Sequence, residues 1–200
     1  MISGKDVFPD GERLVAEYLG KFNDVKALPE TSAEIACIGR SNSGKSSLLK
    51  SLLNSATMPQ ISSRPGSTRL IHLYGLGGRG LTLADFPGYG YAKSSQVFRA
   101  RFTGMLAAYL KSPRPIKALL LMMDSRREPE DEEKEIARIA GERHVPIILC
   151  LNKSDQLNQS ETAKLAAKYK VTKPFFEIVL LSAQKRRNLG YLRNFINSLG

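Results

Sequence analysis

The segment Gly39-Arg40-Ser41-Asn42-Ser43-Gly44-Lys45-Ser46 constrains the fold of this 200-residue chain more than any other. An apolar run, Ile35-Ala36-Cys37-Ile38, leads into it, and Ser47, Leu48, Leu49, Leu52 and Leu53 continue from it at helical spacing. A buried strand, a glycine-rich turn and a helix therefore follow one another. Two glycines followed by Lys and Ser fit a loop whose backbone N–H groups wrap phosphates while the lysine ammonium meets the β and γ oxygens. The helix N-terminus adds unpaired amides and a dipole, both favourable to an anion. Residues Gly39 to Ser47 are thus candidates for binding a polyphosphate, with Lys45 at the centre.

Three further segments sit at the ends of apolar runs. Leu81 to Ala84 ends at Asp85-Phe86-Pro87-Gly88, which puts Asp85 at a strand's C-terminal tip, where ligands of open α/β sheets gather. Asp85 there can hold Mg²⁺ through a water, with the Ser46 hydroxyl as a direct ligand, and the Gly88 amide can sense a γ-phosphate. Ile147 to Leu151 ends at Asn152-Lys153-Ser154-Asp155, whose carboxylate can accept from both N1–H and the N2 amino group of guanine. Adenine offers neither donor, and a site built to hydrogen-bond its ligand rejects such an analogue by about 10⁴ or more in favourable cases. Asn152 is expected to brace the loop, Lys153 to lie along the base, and Leu181-Ser182-Ala183 to close over the O6 side. Each tetrapeptide alone passes as a polar loop or turn. All four in this order describe one pocket for Mg²⁺ and GTP or GDP.

The remaining chain reads as alternating strands and helices, a three-layer α/β/α domain. Gly11 to Gly20 predicts a short amphipathic helix, part of an N-terminal extension over about residues 1–30, with Leu14, Val15, Tyr18 and Leu19 on one side. Residues 58–68 have no periodicity and read as a loop, and Leu70 to Tyr74 with Leu81 to Ala84 bracket a glycine-rich hairpin turn. Helices are predicted around Phe98 to Tyr109, from the acidic stretch Glu128 to Glu135, from a Ser160 cap through Tyr169, and around Leu189 to Leu199. Counting strands gives six, mostly parallel, with one antiparallel edge strand, in a single domain spanning residues 1–200.

Composition narrows the classes. No run of 18 apolar residues and no charged-then-apolar leader is present, so neither a membrane span nor a signal peptide is expected and the cytoplasm is the default. Cys37 and Cys150 fall inside apolar runs, as small hydrophobes. The net charge of +11 is uneven, since Asp85 is the only carboxylate between Ile35 and Met123. That basic stretch, with Lys185-Arg186-Arg187, fits a polyanionic partner such as RNA.

Taken together, Gly39 to Leu48, Arg64-Pro65-Gly66-Ser67-Thr68, Asp85-Phe86-Pro87-Gly88-Tyr89-Gly90-Tyr91-Ala92 and Asp124-Ser125-Arg126 resemble the bacterial EngB family of small GTPases. The resemblance implies a Ras-like P-loop GTPase fold, Mg²⁺-dependent GTP binding, association with rRNA and proteins of the large ribosomal subunit during its assembly, and a requirement for normal cell division and septation. It adds Gly66, Ser67 and Thr68 to the nucleotide site, with Thr68 as a Mg²⁺ ligand in the GTP state. It also makes Lys45, Thr68, Gly88 and Asn42 the catalytic candidates. Asn42 matches the residue of related GTPases that use K⁺ in place of an arginine finger, and it equally suits a turn tolerant of left-handed dihedrals. Two positions depart from the family's pattern: Asn152 stands where many relatives have Thr, and Arg127 where His is frequent.

Ras-like enzymes place a water-orienting Gln where this chain has Tyr89, so slow unaided hydrolysis by a monomer, stimulated by a ribosomal partner, is the expectation. A guanine-nucleotide-binding module without hydrolysis stays open as an alternative. A P-loop kinase is the other, but it has no use for Asn152 and Asp155.

Overall fold

The computed structural model describes residues 14–53, 70–77, 80–90, 96–170 and 175–199. Along them run β1 (Ala16–Phe22), β2 (Ala33–Gly39), α1 (Lys45–Leu52), β3 (Ile71–Leu76), β4 (Leu81–Asp85), α2 (Gln96–Lys111) and β5 (Ile116–Asp124). Then come α3 (Asp131–Glu142), β6 (Ile147–Asn152), α4 (Gln159–Lys170), β7 (Glu177–Leu180) and α5 (Leu189–Asn197). Short apolar runs became strands because the sheet is covered on both faces, so neither side of a central strand can be polar. All of Ala33–Gly39, Leu81–Asp85 and Ile147–Asn152 is buried.

The strands form one sheet in the order β1-β3-β4-β2-β5-β6-β7. One face packs Leu48, Leu52, Leu192 and Ile196 of α1 and α5 against Ile35, Cys37, Leu83 and Leu120. The other packs Phe102, Leu106, Ile136 and Ala140 of α2 and α3 against Ile38, Leu73, Leu119 and Leu149. The three-layer α/β architecture is therefore as the sequence predicts. Because β2, β4, β5, β6 and β7 are parallel, their C-terminal ends lie together. The phosphate loop, Asp85 and Asn152 follow three of those ends.

Three details differ from the sequence reading. Residues 16–22, part of the expected N-terminal helix, are an antiparallel partner of β3, with Ala16 opposite Leu76 and Phe22 opposite Ile71. The unpaired edge of the β3–β4 hairpin offers this segment a ladder of hydrogen bonds, and Gly20, at φ +134° beside an irregularity in register, suits a bulge and not a helix. Among the described residues the sheet thus has seven strands, and β3, the one of them running against the rest, lies second from the edge. Ser160 does not cap α4: Asn158 does, accepting the Glu161 amide (2.9 Å) while Glu161 Oε2 accepts the Asn158 amide (2.8 Å).

Both cysteines are buried free thiols. Burial pushes Cys37 up to about 12 and Cys150 well above its ordinary value. Among the described residues no helix is long and apolar enough to cross a membrane.

Candidate functional site

The turn after β2 is shaped by two left-handed residues, Asn42 (φ +68°) and Gly44 (φ +90°). The backbone accounts for Asn42 on its own, since Asn is among the few side chains that tolerate this region. Gly44 is obligatory: a Cβ there would lie 2.1 Å from Asn152 Nδ2. From Gly44 the chain enters α1 with no side-chain cap, and Leu48 N–H is the first amide to bond in helical register, to Gly44 O at 2.8 Å. The amides from Gly44 to Ser47 are left facing the space beyond the β2 end, where an anion is favoured. Lys45 is buried at the same place and ion-pairs with Asp85. Ser46 and Ser47 lie in the first turn of α1.

Asn152 joins this loop to the far side of the site. Its Nδ2 donates to Ser43 O at 2.9 Å, and its Oδ1 accepts the Ala183 amide at 3.0 Å; all three residues are buried. Lys153 follows at φ +64° and pairs with Asp124 at 2.9 Å. Asp155 lies in a short 3-10 turn, tied to the next loop by Ser154 N–H to Leu181 O at 3.1 Å. The buried Ser182 hydroxyl accepts the Lys185 amide (3.0 Å) and donates a hydrogen bond to Asp155, holding that carboxyl below its ordinary value. Asn152, Lys153, Ser154, Asp155, Leu181, Ser182 and Ala183 are thus brought together, and to the phosphate loop.

The segment after β4 packs on the other flank. Phe86 is buried against Tyr109 (ring centroids 4.9 Å), and Gly88 lies against Ser41. Ser41 N–H donates to Tyr89 O (2.7 Å), and Tyr89 N–H to Gly39 O (3.3 Å). The Tyr89 ring points away from the phosphate loop into the core, packed on Phe102, and its hydroxyl donates to Glu133 Oε1 at 2.8 Å. Burial, then the Glu133 charge, raises that phenol well above its ordinary value, so it stays a neutral donor. Glu133 Oε2 accepts the Glu130 amide at 2.8 Å, and Arg40 pairs with Glu130 at 2.5 Å. Gly90, at φ +68°, leaves room for that guanidinium. Gly66, Ser67, Thr68, Tyr91 and Ala92 lie outside the described residues.

The sequence and the fold match known proteins. The family profile described as 50S ribosome-binding GTPase matches residues 34–153. The Probable GTP-binding protein EngB of Desulforapulum autotrophicum is 40% identical over 131 residues, 66% of this chain and 67% of that one. Its counterpart from Desulforamulus reducens is 33% identical over 179 residues, 86% of this chain and 87% of the relative.

The chain belongs to the EngB family of GTP-binding proteins.

A crystal structure of a probable EngB protein superposes with a TM-score of 0.64 over 84% of this chain and 98% of that one, at 24% identity, a likeness of fold. Aquifex aeolicus Era, bound to GDP and AlF₄⁻, gives 0.64 over 84% of this chain and 56% of its own, at 25% identity.

Two residues of this EngB chain carry structural roles that sequence reading leaves unassigned. Asp124, at the tip of β5 in register with Asn152, accepts both nitrogens of the Arg126 fork (2.8 and 2.6 Å) as well as Lys153. Arg126 first, then Lys153, holds its carboxyl far below the usual range. Glu133 reads as one more acid in a charged helix, yet it is fully buried. A signal exists: Glu133, Ile136, Ala137 and Ala140 share one helical face, which points to the core.

Proposed function

We propose that this EngB protein binds GTP and GDP in the pocket between the phosphate loop and Asp155 and hydrolyses GTP slowly. The observation that carries the reading is Asn152, whose two hydrogen bonds tie the phosphate loop to the Ala183 loop and so set a polyphosphate cradle beside an ionised Asp155. In this reading Lys45 leaves Asp85 for the β/γ oxygens, Asp155 accepts from guanine, and Ser182 and Ala183 close over O6. The oxygen donor set of Ser46 and Asp85, with Thr68 in the GTP state, fits Mg²⁺, which takes few protein ligands and shares the rest with phosphates and water. Bound there it would neutralise charge on the β/γ oxygens. Calorimetry tests the base reading: GDP should bind far more tightly than ATP, and Asp155→Ala should cost GDP on the order of 10³ or more in affinity. Equal affinities for the two nucleotides, or an intact preference in the variant, would reject it.

The inward Tyr89 supports weak basal turnover, since a neutral phenol bonded to Glu133 orients no water at the phosphate. Gly88 and Thr68, drawn toward a γ-phosphate and released after hydrolysis, give two states. We read these as a cytoplasmic switch in assembly of the large ribosomal subunit, on which normal cell division and septation depend. The family description and the net charge of +11 support the ribosomal part. Sedimentation with isolated large subunits should be stronger with a GTP analogue than with GDP and weaken steeply with salt. Co-sedimentation indifferent to nucleotide and salt would count against it.

A further inference from the structure

Several of the basic residues seen in sequence are paired within the fold. Arg40 pairs with Glu130, Arg114 with Glu34 at 2.6 Å, and Arg99 with Glu132 at 4.0 Å. A different place keeps uncommitted charge. Between the loop after β5 and helix α4 lies an open cleft of about 330 Å³, lined among others by Ser125, Arg126, Arg127, Lys164, Lys168 and Tyr169. At its floor Ser125 and Tyr169 are 3% and 4% exposed, and neither hydroxyl has a hydrogen-bond partner among the described residues. A buried hydroxyl left unpaired is unfavourable, so an acceptor that reaches either one from the cleft gains a hydrogen bond. On the rim Arg127 and Lys164 are exposed and make no ion pair among the described residues. Both acids of the cleft are engaged: Glu128 with Lys168, and Glu161 with the Asn158 amide.

Hydroxyl donors below and cations above suit phosphate oxygens. Arg126, Arg127 and Glu128 also line a second cleft, which holds Arg40, Ser41 and Asn42 of the phosphate loop. The nucleotide takes that second cleft in the reading above, which leaves the first for the phosphates of an RNA partner.

We propose that the cleft between the β5–α3 loop and α4 is a docking site for the phosphodiester backbone of RNA, with Arg127 and Lys164 at its rim and the Ser125 and Tyr169 hydroxyls at its floor. The proposal rests on the ribosomal reading above and names the part of the protein that would touch rRNA. Asp124, shared by Lys153 and Arg126, links this cleft to the guanine loop through two ion pairs.

The test uses the full chain with a GTP analogue and a protein-free transcript of large-subunit rRNA, titrated by fluorescence anisotropy over a range of salt. The double variant Arg127→Glu with Lys164→Glu should bind the transcript at least about tenfold more weakly, with a salt slope shallower by about 1.4 to 1.8 because two phosphates are no longer neutralised. Its affinity for a fluorescent GDP should match wild type, which shows that it is folded. Tyr169→Phe should weaken the transcript several-fold with no change of slope, because the hydrogen bond it removes is uncharged. A hydroxyl that merely fills space would leave binding untouched and would overturn the floor assignment. If the cleft variant binds like wild type while Lys185→Glu with Arg186→Glu loses affinity, the cleft is the wrong surface and the RNA reading stands. If wild-type protein ignores the transcript yet sediments with intact subunits, the partner is ribosomal protein and the inference falls. Failure to bind either one sinks the ribosomal reading itself.

Discussion

Asn152 and Glu133 are both buried, and each bridges the neighbourhood of the phosphate loop to a second element, but one does so with a neutral amide and the other with a carboxylate. Asn152 makes two direct bonds of fixed direction, to Ser43 and Ala183. Glu133 divides its oxygens between the Tyr89 hydroxyl and the Glu130 amide, with Arg40 at 3.8 Å supplying the countercharge. A neutral bridge needs no partner ion and keeps its geometry whatever charge binds nearby. A buried carboxylate depends on its guanidinium, and that guanidinium sits on the phosphate loop, where a nucleotide brings several negative charges. In the function proposed above, the base-reading side is thereby pre-set, and the side that would meet the γ-phosphate is adjustable.

The sharpest way to break this contrast is Asn152→Ala. It strands a buried carbonyl and a buried amide at about 1–3 kcal/mol each, so GDP should bind roughly a hundredfold more weakly by calorimetry. A loss under threefold would mean that the base-reading side is held by something else. On the adjustable side, Tyr89→Phe removes one donor from Glu133 and should lower stability by about 1–2 kcal/mol in urea unfolding. Basal GTP turnover should stay within about twofold of wild type, because the phenol faces away from the phosphates. A collapse of turnover at unchanged GDP affinity would return Tyr89 to the attacking water.

Asp124→Asn should have the smallest effect at neutral pH. Arg126 is about half exposed, so solvent screens its pair with Asp124 and the contribution is small. The difference should shrink in acid. A carboxyl depressed in the folded state stabilises above its unfolded value, near 3.9, and that contribution is lost as pH falls toward the folded value. Wild-type melting temperature should therefore drop more steeply below about pH 4 than that of the variant.

The strands that carry the site were legible because burial on both faces writes itself as uninterrupted apolar runs ending at Gly39, Asp85 and Asn152. β1 was not, since Leu14, Val15, Tyr18 and Leu19 satisfy a helical period, and only the open side of β3 selects the strand, which leaves Val15 and Leu19 exposed. Pairwise charge was equally hidden. Arg40 and Arg114 look like free surface cations until the fold brings Glu130 and Glu34 to them across 90 and 80 residues of chain. The left-handed turn at Gly44 could be expected from a glycine there. That it makes way for Asn152 could not.

The two fully buried thiols give the molecule an internal timer. Cys37 lies in the central strand that feeds the phosphate loop, and Cys150 lies two residues before Asn152 in β6, one strand in from the edge. Alkylating reagents attack thiolates, and neither sulfur ionises or meets solvent until those strands part. The rate of modification in native buffer therefore reports opening of the strands beneath the nucleotide, and a bound guanine nucleotide should slow it in proportion to its affinity.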